Sequence, residues 1–300
     1  MTSVAVMMSV YNGEKYIPEQ LESILAQKDV GIDIYVRDDG SGEAAKHVLK
    51  QFAAKHSNIH LDHGENLGIS NSFLKMVRDV PDHHDFYAFS DADDVWLPNK
   101  LSSAVDVLLR GDSSVAQAYC SQITLVDEQL NFIGHGRPLR RPITFGNSIV
   151  ECRMSGATAV FNRTLIGIAK PFGYGHAVMH DAWMNVIAAG FGKVHFDPSS
   201  YILYRQHGRN ADGGVRSSSR RWRDRLGRRE LFSRYAMQGS SILGQAQGRL
   251  GAVNEELVTR LVKYDDGELS ALNFLFDRGV HYQRPLSKIL TAFSLARSIK

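Results

Sequence analysis

A chain of 300 residues with 43% hydrophobic side chains suits one large α/β domain, or one domain with a smaller extension. A formal net charge of +3 is too slight to imply a nucleic-acid partner, and no run approaches the ~18 apolar residues that a membrane span needs. The two cysteines, Cys120 and Cys152, lack CxxC spacing, and no basic segment precedes the first apolar run; a reducing cytosol is expected, with both thiols as inert core residues.

Val4 to Val10 reads as a strand buried on both faces, as in a parallel sheet. After a loop at Tyr11-Asn12-Gly13, Ile17, Leu21, Ile24 and Leu25 repeat at helical spacing, with Pro18 tolerable in a first turn. Ile32 to Val36 predicts a second strand that stops at Arg37-Asp38-Asp39-Gly40-Ser41. A helix with Val48 and Phe52 inward follows, then a short strand near Ile59 to Leu61. Glu65-Asn66-Leu67-Gly68 precedes a third helix carrying Ile69, Phe73, Met76, Val77 and Val80. Phe86 to Phe89 predicts another strand, ending at Ser90-Asp91-Ala92-Asp93-Asp94, and a helix after Pro98 turns Leu101, Val105 and Leu108 inward.

This alternation predicts a parallel sheet with helices on both faces, whose ligands bind beyond the carboxyl ends of the strands. The polar clusters at 9–14, 37–41 and 90–94 all fall there. The second half is less periodic. Gly134 to Thr144 predicts a mobile loop, Val194 to Phe196 and Tyr201 to Tyr204 short strands, and Ser217 to Lys300 mostly helices.

Three carboxylates at one strand end, Asp91, Asp93 and Asp94, repel one another, and a hard divalent cation such as Mg²⁺ or Mn²⁺ is the natural resolution. The plainer alternative is an acidic turn capping the next helix. Asp38-Asp39-Gly40-Ser41 is by itself an ordinary Asp-Gly turn, although a carboxylate beyond a second strand is able to accept from a base or a ribose. Neither GxGxxG nor GxxxxGK[ST] occurs, which disfavours dinucleotide binding and P-loop hydrolysis. His180-Asp181-Ala182-Trp183 offers a general base at a pocket edge or, equally, the start of a helix. His207, in Tyr204-Arg205-Gln206-His207-Gly208, is a metal-ligand candidate that alone reads as a surface histidine.

Together these phrases, with Ser155-Gly156, resemble the family 2 glycosyltransferases over roughly residues 2–210. The resemblance implies a GT-A nucleotide-diphospho-sugar transferase fold, an α/β architecture with a mostly parallel central sheet flanked by helices. Residues 1–215 would form the catalytic domain and 216–300 a basic helical C-terminal extension. It also implies roles. Ser9 and Tyr11 line the base pocket, Asp39 binds the base, and Glu14 and Asn66 join the nucleotide-sugar site. Asp91 lies near ribose or metal, Asp93 and His207 hold Mg²⁺ or Mn²⁺, and Asp181 is the catalytic base. Many relatives carry Glu-Asp where this chain has His180-Asp181. SDADDVWLPNK and YRQHG look most like bacterial rhamnosyltransferases of cell-surface polysaccharide synthesis.

The expected reaction is therefore inverting transfer of L-rhamnose from dTDP-L-rhamnose to a lipopolysaccharide or other glycan acceptor. The alternatives are transfer of another sugar from a UDP donor, or a non-catalytic nucleotide- or glycan-binding relative. The expected location is the cytoplasm, peripheral to the inner face of the plasma membrane. Arg221, Arg225 and Arg228 in the basic stretch are the candidate contacts to an anionic lipid surface.

Overall fold

A computed structural model of the chain describes residues 1–173, 175–207, 227–246, 248–265 and 271–296. The first half alternates strand and helix as the periodicity predicts: β1 (Ser3–Val10), α1 (Ile17–Leu25), β2 (Gly31–Asp38), α2 (Glu43–Lys55), β3 (Ile59–His63), α3 (Ile69–Asp79), β4 (Phe86–Ser90), β5 (Val95–Trp96) and α4 (Lys100–Leu109). The second half adds β6 (Ala116–Val126), β7 (Phe132–His135), α5 (Phe145–Ser148), β8 (Val160–Asn162), α6 (Arg163–Ala169), α7 (His180–Phe191) and β9 (Gly192–Arg205). Four C-terminal helices follow among the described residues: α8 (Arg228–Ala246), α9 (Ala252–Asp265), α10 (Ala271–Leu275) and α11 (Pro285–Ala296).

The strands form one sheet in the order β3-β2-β1-β4-β8-β6-β9-β5, with β7 against β6. Pairing is parallel through β3, β2, β1 and β4. It turns mixed beyond, where β8 runs antiparallel to both neighbours and β6 pairs parallel with β9. Because side chains alternate across a strand, β1 sends Val4, Val6 and Met8 to one face and Ala5 and Met7 to the other. The first face is covered by α1, α2 and α4 through Ile17, Leu21, Leu49 and Leu101. The second is covered by α3, α6 and α7 through Phe73, Leu165, Trp183 and Ile187. The C-terminal helices join this second cluster with Phe232, Val258, Phe274 and Leu295.

Three features depart from the sequence expectation. The 116–126 strand has no clean apolar alternation, because Gln117, Ser121 and Gln122 interrupt it, yet it is the long central partner of β9. The two short strands expected at 194–196 and 201–204 are one strand, its register shifting opposite Ser121 and Gln122 where Pro198 interrupts the ladder. The segment Gly134 to Thr144 begins inside β7, and its Arg140 and Arg141 N–H groups both donate to Gln283 Oε1, at 2.9 and 3.0 Å.

Candidate active site

The loops after β1 and β2 are stitched together by short polar side chains. Asn12, in the left-handed region with φ 58°, receives the Gly42 N–H on Oδ1 at 3.0 Å, and its own N–H donates to Ser41 Oγ at 2.8 Å. Asp38 Oδ1 accepts from Ser41 N–H at 2.8 Å, and its Oδ2 lies 3.0 Å from His63 Nδ1. Burial alone would raise the Asp38 carboxyl, but the Ser41 and His63 hydrogen bonds outweigh it and hold it below the usual carboxylate range.

Asp39, 1% exposed, takes the Leu67 N–H on Oδ1 at 2.9 Å and the Gly68 N–H on Oδ2 at 3.0 Å, with Arg37 Nη2 at 3.2 Å. It thus ties the Glu65–Gly68 loop to the end of β2. Gly40 beside it has φ +85°, and a Cβ there would stand 3.0 Å from Asn66 N. Asn66 Oδ1 accepts from Gly68 N–H at 3.0 Å. Ser9 Oγ pairs with Ser72 Oγ at 2.7 Å, while Tyr11, 60% exposed, and Glu14 stand at the open mouth of these loops.

The turn after β4 is of another kind. Asp94 is fully buried. Its Oδ1 accepts the Arg205 N–H at 3.0 Å, and its Oδ2 has no hydrogen-bond partner. Burial, then the charges of Asp93 and Asp91, push its carboxyl well above the ordinary range. Lys100, also buried, lies with Nζ 3.4 Å from the Trp96 ring centroid, and burial pushes its ammonium down to about 7. Asp93 Oδ2 lies 2.7 Å from His207 Nε2, and the His207 ring stacks on Tyr16 at 5.1 Å.

Arg205 is the strut beneath this pair. Its buried guanidinium donates from Nε to the Asp93 carbonyl at 2.8 Å, from Nη1 to the Glu128 carbonyl and from Nη2 to Glu19. It therefore links the turn after β4, α1 and the turn after β6 to the end of β9. Sequence reading missed Arg205, Lys100 and Asn12. Only Arg205 carried a signal, its place two residues before His207.

Among the described residues no three His, Cys, Asp or Glu side chains form a preformed metal cage. Asp93 and His207 nevertheless place a carboxylate and an imidazole 2.7 Å apart. Mg²⁺ and Mn²⁺ are held by one or two carboxylates plus substrate phosphates rather than by all-protein cages, so these residues fit such an ion.

Asp181 lies in the first turn of α7, where a carboxylate is favoured by the helix dipole, and its Oδ1 accepts from Ala182 N–H at 2.7 Å. The buried ring of His180 stacks on Phe73 at 4.2 Å and meets Phe89 edge-on at 5.1 Å, so α7 starts beside the carboxyl end of β4. Neither ring nitrogen has a partner, and burial pushes the imidazole down to about 3. Gly156 makes this packing possible, because a Cβ there would lie 2.6 Å from His180 Nε2. Of the basic candidates, Arg221 and Arg225 lie outside the described residues, as does the side chain of Arg228 at the start of α8.

The model of the family "Glycosyl transferase family 2" matches residues 5–164. A dTDP-rhamnosyl transferase of Shigella flexneri, RfbG, is 34% identical over 120 residues, which are 39% of this chain and 40% of that protein, so well under half of the relative's length is matched. An Escherichia coli protein, the UDP-Glc:α-D-GlcNAc-diphosphoundecaprenol β-1,3-glucosyltransferase WfgD, is 25% identical over 190 residues, covering 61% of this chain and 69% of its own. Among solved structures, Staphylococcus aureus TarS 1–349 in complex with UDP-GlcNAc superposes with a TM-score of 0.63 at 14% identity, over 99% of this chain and 80% of that one. The mannosyltransferase PcManGT of Pyrobaculum calidifontis, in complex with GDP-Man and Mn²⁺, gives 0.54 at 17% identity, over 99% and 86%. The strand order, the loops at the strand ends and a family match over more than half of the chain agree: the protein belongs to glycosyl transferase family 2.

Proposed function

We propose that the chain is an inverting, metal-dependent glycosyltransferase that takes a sugar from a nucleoside diphosphate donor. The observation that carries the reading is the Asp93–His207 pair, 2.7 Å apart at the end of β4, with Arg205 braced beneath it. Asp93 and His207 would hold Mg²⁺ or Mn²⁺, which when bound supplies charge neutralisation for the departing diphosphate. Ser9, Tyr11, Glu14, Asp39 and Asn66 would form the nucleotide pocket; Asp39 keeps lone pairs beyond those given to Leu67 and Gly68. Asp91 would face the ribose or share the ion.

Asp181 is assigned the base. It takes the proton of an acceptor hydroxyl as that oxygen bonds to the anomeric carbon from the face opposite the diphosphate. The bond from that carbon to the phosphate oxygen breaks, its electron pair leaves with the nucleoside diphosphate, and configuration inverts in one step. His180, neutral in its aromatic slot, holds the start of α7 in place and takes no proton.

For the donor we favour dTDP-L-rhamnose, supported by the partial likeness to RfbG and by the SDADDVWLPNK and YRQHG phrases. A UDP-hexose donor is the second reading, favoured by the likeness to WfgD, whose name also gives a lipid-linked acceptor. A lipopolysaccharide or other lipid-linked glycan acceptor would place the enzyme at the cytoplasmic face of a bacterial membrane, with residues 1–215 as catalytic unit and 216–300 as basic extension. Turnover of purified protein with a panel of dTDP-, UDP- and GDP-sugars is the test. Release of dTDP from dTDP-L-rhamnose supports the favoured donor, release of UDP from a UDP-hexose alone replaces it, and release of pyrophosphate in place of any nucleoside diphosphate sinks the reaction class.

A further inference from the structure

α11 is apolar on both sides. Its inner side, Ala292 and Leu295, joins the core, while Leu286, Ile289, Leu290 and Phe293 point outward, each 42–64% exposed. These four recur at the i, i+3, i+4, i+7 spacing of one helical stripe. Phe276, 64% exposed, lies near its start. A cluster of this kind on a water-soluble surface marks a contact.

The rim of the stripe is cationic. Arg141, Arg278, His281 and Lys288 line an open groove beside Phe276 and Pro285, and Arg284 is exposed at the head of the helix. The carboxylate in that groove, Asp277, is already engaged by Arg260 at 2.5 Å and by the Gly279 N–H at 2.7 Å. Lys288 lies 5.5 Å from the Phe276 ring centroid; burial, then the charge of Arg141, holds its ammonium below the usual lysine range. An anion seated in the groove would relieve that repulsion.

We infer that the outer face of α11, with Phe276 and the Arg141–Arg278–Lys288 groove, is a docking surface for an anionic lipid bilayer. The apolar stripe enters the acyl boundary while the groove takes headgroup phosphates. The helix lies in the plane of the interface: its 12 residues span only about 18 Å, and no described helix is long and apolar enough to cross a membrane. An amphipathic helix with basic flanks binds in this way. A second copy of the chain is the poorer occupant. A two-fold interface opposes a patch to itself, which would enclose the cationic rims of both copies, Arg278, Arg284 and Lys288 twice over, in one interface. This deepens, and for its purpose rests on, the reading that the acceptor is lipid-linked. The surface is distinct from Arg221, Arg225 and Arg228.

The test is co-sedimentation of the full chain with vesicles of phosphatidylglycerol and phosphatidylcholine, against phosphatidylcholine alone, for wild type, Leu286→Glu/Phe293→Glu and Arg278→Glu/Arg284→Glu. All four substituted side chains are exposed, so circular dichroism should be unchanged. Wild type should bind the anionic vesicles, and each double variant should bind about tenfold or more weakly. Equal binding to neutral vesicles, undiminished binding by the Leu286/Phe293 variant, or a wild-type dimer that this variant disperses would overturn the inference. Nucleoside diphosphate binding, followed by thermal shift, is expected to be the same in all three proteins. A wild type that docks on vesicles yet binds no nucleoside diphosphate would sink the glycosyl-transfer reading and leave the docking surface standing.

Discussion

Two aspartate-rich turns lie at the carboxyl edge of the sheet, one on each side of β1, and they do opposite things. After β2, each carboxylate oxygen of Asp38 and Asp39 already meets a donor: Ser41, Leu67 and Gly68 give backbone N–H groups, and His63 and Arg37 add side-chain contacts. After β4, Asp94 receives a single backbone N–H and keeps one oxygen unpartnered, while Asp93 leans on a histidine. The residue type is the same, and the two strands flank β1 on either side. The supply of donors separates a turn that holds the fold together from one that, on our proposal, keeps its charge for a ligand.

Exchanging one carboxylate for an amide in each turn breaks or sharpens this contrast. Asp93→Asn should lower transfer by about 10³-fold, the scale of several kcal/mol of charge stabilisation at a metal, while thermal stability stays level or rises. A loss of stability with activity kept would place Asp93 with the structural turn. Asp181→Asn should cut turnover by about 10²-fold or more with donor affinity kept; a collapse of donor affinity would move Asp181 into the nucleotide site. Asp39→Asn should, unlike Asp93→Asn, cost roughly 1–3 kcal/mol in denaturant unfolding, because an amide nitrogen would then face the Leu67 or Gly68 N–H or the Arg37 guanidinium. Unchanged stability there would contradict the latch.

The smallest effect concerns His180. Burial pushes its folded value down to about 3, against about 6.5 in an unfolded chain. The stability it contributes is therefore present above about pH 6.5 and is lost as pH falls from there toward 3. His180→Phe, which keeps an apolar ring against Phe73 and Phe89, should remove about 1–2 kcal/mol of the stability lost between pH 7 and pH 5. Parallel acid profiles for the two proteins would show that the slot admits water.

What the chain shows by itself is uneven for physical reasons. β1 and β4 are buried on both faces and read as apolar runs, β2 buries Ile34 and Val36 within a more polar strand, and the polar phrases that follow all three mark the edge where a site must lie. α3 carries a wide apolar stripe and is equally plain, whereas the start of α7 is one of two readings of His180-Asp181. Hidden were contacts made by burial of polar groups over long separations. Gln117 and Ser121 obscure β6, although Gln117 N–H is satisfied by Asn162 Oδ1, 45 residues on. The latch from Asp39 to Leu67 spans 28 residues, and local pattern marks only an Asp-Gly turn. Lys100 reads as a surface residue after Pro98-Asn99 and is buried. The phrase around His207 pointed to a ligand, yet its approach to Asp93 is set by Arg205 reaching across to Glu19, 186 residues away.

The most direct measurement is calorimetric titration of a nucleoside diphosphate, dTDP and UDP in turn, into wild type and Asp93→Asn, with Mn²⁺ and with a chelator. Strong binding of at least one nucleotide to wild type only when Mn²⁺ is present, and weak, metal-independent binding to Asp93→Asn, is the predicted result. Binding to wild type that is as tight in chelator as in Mn²⁺ would contradict the claim that the turn after β4 holds its charge for a cation.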